Sequence, residues 1–412
     1  MSPAPSASAP FASAPSDSAP ADSAEATADL LRIDFEAALK KLAWSQLQGT
    51  WQLPTEMVRL AIGAGAQSVE IDIEPRHLAL MARGARLDRA TVAAFASLLD
   101  RRLEAAERHA AMVELEERDA FVLSAIACSS FRSLVLTIGG AGGLRVELGA
   151  DGDLRVVQPS GPASDPLDLE LVIEGLELDT ERASKWLRRT GRFASVPISV
   201  GGLRIGRTFR HALIQKRCQI KPADARPGKA YEPGPPLPTL LAIPKRGSSP
   251  RLWLLRHGII ATHATVPGYP AFEAAIEMSP AIRSRDSATG HAAGTTSAAL
   301  RERLNAYIES LVDASVLSMI AAAGKADTLA EPDRAHLAKL VLEAALKRRR
   351  LSEVSGVAVF PLLVPQGRRL VSIDVISRMI RVAEGGTCTL EAIPPEQSRK
   401  RFAISERGCL AL

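Results

Sequence analysis

The chain has 412 residues, 46% hydrophobic and 24% charged, the composition of a folded globular protein long enough for two or three domains. No run of about 18 apolar residues occurs, which speaks against a membrane-spanning helix. Four scattered cysteines, Cys128, Cys218, Cys388 and Cys409, form no CxxC pair, which argues against a zinc site or disulfide framework and fits a reducing cytoplasm. The net charge of +5 is unevenly spread: 15 basic against 28 acidic residues over 1–181, 17 against 2 over 182–256, and 19 against 16 over 257–412.

Residues 1–28 are mostly Ala, Ser and Pro with a few acids, and lack the basic start and apolar centre of an export signal, so they read as a disordered tail. Leu30, Leu31, Ile33, Phe35, Ala38, Leu39 and Leu42 recur at helical spacing and open the globular part. Pro54-Thr55 starts a second helix through Ala64, and the alternating Val69–Ile73 and Leu78–Met81 predict two strands joined by a turn at Pro75-Arg76-His77. Asp88 to about His109 reads as one helix with Asp88 as its cap, and 119–129 as another. Strands follow at 133–138, 144–148, 154–158 and 167–173, with Gly139–Gly143 a flexible hairpin tip and Asp151-Gly152 a hairpin signal. A helix at 180–189 and a strand at 196–200 complete an α+β unit of helices layered on a sheet.

Residues 206–238, basic and rich in Pro and Gly, read as a linker. Beyond it, 239–244 and 251–256 are expected as a strand pair, 258–262 as a third strand and 271–277 as a short helix, so that 239–297 forms a small α/β module ending in a Ser/Gly/Thr-rich loop at 284–297. Two long helices, 298–323 and 331–350, open a helical and mixed region over 298–412.

The most informative stretch is Glu56-Met57-Val58-Arg59-Leu60-Ala61-Ile62-Gly63-Ala64-Gly65-Ala66, a helix that begins near a glutamate, ends in Ala-Gly-Ala and hands over to a strand. It resembles the first motif, ExxxNxxDAG, of the GHKL ATPases, which include heat-shock protein 90 chaperones, MutL mismatch-repair proteins, type II topoisomerases and histidine kinases. Glu56 matches the catalytic glutamate, Leu60 stands where the magnesium-binding Asn belongs, and Gly63 stands where the Asp belongs. Ala82-Arg83-Gly84-Ala85-Arg86-Leu87-Asp88 is similar in register to the second motif, with Ala82 in place of the adenine-reading Asp, Gly84 kept, and Arg86 in place of a second Gly. The run 117–136 resembles the helix and strand after the third, glycine-rich motif, but Glu117 and Ala120 replace its glycines, and Glu116, Glu117 and Asp119 would repel phosphate. Arg192–Gly202 resembles the closing stretch of heat-shock protein 90 and MutL amino-terminal domains.

This resemblance covers about residues 29–205. It implies a GHKL (Bergerat) two-layer sandwich of helices on a mixed, mostly antiparallel sheet, followed by a smaller α/β middle module and a helical carboxy-terminal region. Mg²⁺ takes hard oxygen ligands, which Leu60 and Gly63 cannot supply, and a missing acceptor for the adenine amine weakens discrimination severely. Glu56 has two readings: a general base if ATPase activity is retained, or an ordinary first-turn acid favoured by the helix dipole. Lys245 and Arg246 invite comparison with the middle-module cation that reaches the γ-phosphate in those families, against their reading as solvated loop charges.

The expectation is therefore a cytoplasmic, heat-shock-protein-90-like protein with a degenerate nucleotide site and no cofactor, acting through protein partners or self-association as a chaperone-like or regulatory module. Two alternatives stand beside it. One is a functional ATP-binding chaperone ATPase using ATP and magnesium. The other is a MutL-like nucleic-acid-associated factor using Arg188, Arg189, Arg192, Arg204, Arg207, Arg210, Lys216 and Arg217, although a basic stripe alone is a weak footprint and stacking aromatics are scarce beside it. No His/Cys/Asp/Glu cluster has metal-ligand spacing.

Overall fold

The computed structural model describes residues 35–139, 143–157, 169–206, 208–209, 211–222, 235–246, 250–266, 271–278, 298–325, 328–348, 350–364, 367–382, 387–392 and 400–405. The expected tail at 1–28, the tip residues Gly140 to Gly142, the loop at 284–297, and Arg207 and Arg210 lie outside them.

The first unit begins with α1 (Phe35–Trp44) and α2 (Leu53–Gly63), the latter opening with Pro54, whose fixed φ and missing N–H suit a first helical turn. Strands β1 (Ser68–Glu74) and β2 (His77–Arg83) pair antiparallel across the Pro75-Arg76 turn, from Ser68 opposite Arg83 to Glu74 opposite His77. Then come α3 (Arg89–Leu99), α4 (Ala105–Glu117) and α5 (Phe121–Ala127), the strands β3 (Ser133–Ile138), β4 (Leu144–Leu148), β5 (Leu154–Val157) and β6 (Leu169–Glu174), the helix α6 (Thr180–Thr190), and the short strands β7 (Ile198–Val200) and β8 (Leu203–Arg204).

These strands form one sheet in the order β5-β4-β3-β6-β2-β1-β7-β8, antiparallel at every pairing except the parallel β1 and β7. Alternation sorts its faces: Val69 and Ile71, Leu78, Leu80 and Ala82, Leu134 and Leu136, and Leu169, Leu171 and Ile173 are all buried in one core with residues of α2, α3 and α5. Each such Leu or Ile contributes about 1.5–3 kcal/mol on burial. The layering of helices on a largely antiparallel sheet is thus the α+β arrangement expected.

The expected single helix from Asp88 to His109 is two. Asp88 caps α3 by accepting from Thr91 N–H at 2.7 Å, the helix stops at Leu99, and α4 starts with the Glu107 carboxylate accepting from Glu104 N–H at 3.1 Å. That reciprocal capping pattern outweighs a continuous run of good helix formers.

A second sheet contains β9 (Ala212–Ile220), β10 (Leu237–Pro244), β11 (Arg251–Arg256), β12 (Ile259–Thr265) and β13 (Glu273–Glu277), ordered β12-β11-β13-β10-β9. It corrects three expectations. The short helix expected over 271–277 is the strand β13, which lies between β11 and β10, so 239–244 and 251–256 are not neighbours. The third correction is β9, a nine-residue strand inside the segment expected as a linker. Ala and Glu favour helix locally, but Ala274, Ala275 and Ile276 gain more as a fully buried central strand.

Helices α7 (Ala298–Ala323) and α8 (Glu331–Arg348) bury Leu304, Tyr307, Leu311, Leu337 and Val341 in one core with Leu252, Leu254, Phe272 and Ile276 of this sheet. The opposite side of the sheet presents Trp253, Leu255, Ala242 and Ala275, which cluster with Phe193 and Phe209. The described chain ends with the hairpin β14 (Phe360–Val364) and β15 (Gly367–Val371), α9 (Ile373–Val382), and the hairpin β16 (Thr387–Ala392) and β17 (Lys400–Ser405). Among the described residues no helix is long and apolar enough to cross a membrane.

Candidate functional site

The carboxy-terminal half of α2 forms one wall of a cavity of about 300 Å³. Its lining comes from four places: Arg59, Leu60, Gly63 and Ala64 of the α2 end; Arg86 to Asp88 and Thr91 at the start of α3; Glu117 to Ala120 between α4 and α5; and His257 from the turn between β11 and β12. Leu60, Gly63 and Ala120, chosen from the sequence, are therefore brought together around one space. Glu56, Ala82 and Gly84 are not among its lining residues.

Each of those three has a local reason for its place. Glu56 is 3% exposed and ion-paired with the equally buried Arg59 one turn along the helix. Burying both charges costs less together than apart, so the pair holds Glu56 in the protein interior. The Arg59 Nε has no hydrogen-bond partner among the described residues. Ala82 is fully buried in β2 between Val69 of β1 and Leu169 of β6, and belongs to the core. Gly84 has φ +81°, and a Cβ there would meet the Gln67 side chain at 2.8 Å, so glycine is required by the turn.

Gly63 is glycine for another reason. A Cβ at this position would lie 3.2 Å from Cδ2 and Nε2 of His257, so the missing side chain makes room for an imidazole from the second sheet. That imidazole places Nε2 2.7 Å from Oδ2 of Asp119. An ionised carboxylate only accepts, so the imidazole N–H donates. Arg256 also binds Asp119, through Nη2 and through Nε at 3.2 Å. The Glu277 carboxylate, at the end of β13, accepts from the backbone N–H groups of His257 at 2.6 Å and Gly258 at 2.8 Å, fixing the turn.

Arg118 and Asp88, also in the lining, are engaged with each other. Arg118 pairs with Asp88 at 3.0 Å and with Glu114 at 3.1 Å. Asp88 is held below the usual carboxylate range, chiefly by the backbone N–H of Thr91 and further by Arg118. Carboxylates bound in this way are poor candidates for gripping a metal ion, and among the described residues no group of three or more His, Cys, Asp or Glu is arranged to hold one.

Lys245 is far from this chemistry, paired with Asp333 of α8 at 3.2 Å, and neither it nor Arg246 lines the cavity. Of the basic residues, Arg188 and Arg189 are exposed at the end of α6, Arg204 on β8, and Lys216 and Arg217 on β9. Arg192 is used inside the molecule: its guanidinium lies 4.6 Å from the Phe193 ring and 4.4 Å from the Trp253 ring.

Sequence reasoning missed the roles of Asp119, Arg256, His257 and Glu277. Two local signals were present. Arg118-Asp119 ends a helix where glycine is the usual residue, and His257-Gly258 is a two-residue connection between apolar strands.

The fold and site define an α+β protein whose second sheet sends a hairpin turn into a cavity of the first unit. No family model matches the chain, and no curated protein matches it. Among solved structures, it is similar to the amino-terminal domain of a DNA repair protein at 10% identity, over 61% of this chain and 90% of that one, with a TM-score of 0.35. A likeness that slight defines neither a family nor an activity.

Proposed function

We propose that this chain is a GHKL-type, heat-shock-protein-90- or MutL-like protein whose nucleotide site has been given up, and that it works by binding other proteins or by self-association, in a chaperone-like or regulatory role. The observation that carries this reading is the lining of the cavity: Leu60, Gly63 and Ala120 offer no side-chain oxygen, the lining carboxylates Asp88 and Asp119 are held by Thr91 N–H, Arg118, Arg256 and His257, and His257 occupies the room left at Gly63. Buried Glu56, tied to Arg59, is poorly placed to take a proton from water.

The test is a calorimetric titration of the full chain with a non-hydrolysable ATP analogue and magnesium. The expected result is no saturable binding up to millimolar nucleotide. Micromolar binding, with turnover of ATP abolished in Glu56→Ala, would establish the ATPase alternative instead.

A nucleic-acid role has one observation in its favour, the exposed Lys185, Arg188 and Arg189 along α6. Phosphate contacts by such residues are lost steeply with salt. Absence of DNA binding at low ionic strength would remove that reading.

A further inference from the structure

We propose that Asp119 and the Arg256-His257 turn form a latch between the two sheets, and that its release is what opens the cavity. This concerns regulation of the site described above and rests on the reading that the cavity is the functional one.

Backbone conformation supports the latch. Asp119 and His257 are the two non-glycine residues with positive φ among the described residues, at +64° and +51°, and they bind each other. Asp119 follows the last turn of α4, where Ala120 N–H donates to Leu115 O at 2.8 Å and Asp119 N–H to Glu116 O at 3.1 Å. This is the Schellman helix ending, whose left-handed position is normally glycine.

His257 and Gly258, with φ +51° and +74°, connect Arg256 to its partner Ile259 as a two-residue hairpin turn. Both positions of such a turn favour Asn, Asp or Gly. Two independent positions that favour other residues thus carry the two side chains that meet across the sheets. Unfavourable backbone of this kind persists where the surroundings over-determine it, and it concentrates in switches and binding sites.

The turn also seats the second sheet on the first unit. A Cβ on Gly258 would approach Ala194 Cα at 3.0 Å, and Ile259, the next residue, is fully buried in the first core. Releasing Asp119 therefore frees a polar anchor at the mouth while the apolar seat beside it remains, which permits opening without separation of the two sheets.

Because glycine relieves the backbone at either position, Asp119→Gly removes the whole latch without imposing strain, whereas His257→Gly removes one arm and leaves Arg256 on Asp119. The reporter is Thr91→Cys, a buried cavity-lining position, in the full chain, with thiol labelling followed peptide by peptide so that native cysteines serve as internal controls. Loss of these charge-assisted hydrogen bonds is expected to speed labelling at position 91 by about tenfold or more in Asp119→Gly and by a smaller factor in His257→Gly, with Cys128 unchanged. Labelling at position 91 no faster than in the parent, or an equal rise at Cys128, would overturn the latch. Either result leaves the nucleotide titration to be judged by itself, since that is measured on the unaltered chain.

Discussion

Gly63 shows how a residue singled out by a motif can be glycine for a different cause. The motif comparison marks it as a lost aspartate, whereas the structure gives it a present duty, clearance for the His257 ring at 3.2 Å from where a Cβ would be. Gly63→Ala is therefore expected to cost about 1–3 kcal/mol of stability through overpacking, against the small gain that alanine normally brings inside a helix. Urea unfolding of Gly63→Ala with and without His257→Gly checks this: the penalty should vanish in the double variant. A penalty of the same size in both backgrounds would mean that the imidazole is not what Gly63 accommodates. That Leu60 and Ala120 belong together was legible because their positions follow from a local pattern, and both line the same cavity. Asp119 and His257, 138 residues apart, were not legible as a pair, because no local pattern encodes which distant side chain a turn will meet.

At the scale of elements, strand alternation and helix periodicity were readable where one face is buried, as in β1, β2 and α6. They failed where the signal is short or two-sided. The five residues of β13 are buried on both faces and rich in Ala, so no period distinguishes strand from helix. Strand β9 was hidden because an edge strand carries its charges in a row, Lys216 and Arg217 among them, which reads as linker composition.

Helix starts were more informative, and Asp88 is a case with a pH consequence. Its carboxylate accepts from Thr91 N–H and pairs with Arg118, and the folded state lowers its pKa below the ordinary 3.8. A depressed carboxyl stabilises the fold above its unfolded value and loses that contribution as pH falls through the folded value. Asp88→Ala should thus cost about 1 kcal/mol at neutral pH, and the difference from the parent should shrink once pH drops below that range. Thermal unfolding across pH gives the answer, and a difference that stayed constant into acid would argue against the carboxylate as its source.

For the molecule as a whole, the two sheets meet through three kinds of contact among the described residues: the Phe193, Phe209 and Trp253 cluster, the Arg192 guanidinium stacked on two of those rings, and the β11–β12 tip at the cavity. The length allows two or three domains, and the charge is acidic over 1–181 and basic over 182–256. The partners chosen could not be foretold, since the larger contact is apolar and aromatic, and its ionic counterpart joins Asp119 to Arg256 and His257. On the proposed reading, the place a nucleotide would need is shared with a piece of the same chain. The most direct measurement is a crystal of the full chain soaked in millimolar ATP analogue and magnesium. His257 should remain against Gly63 and Asp119 with no nucleotide in the cavity. Density for ATP seated between Leu60 and Ala120, with the hairpin turn displaced, would contradict the account.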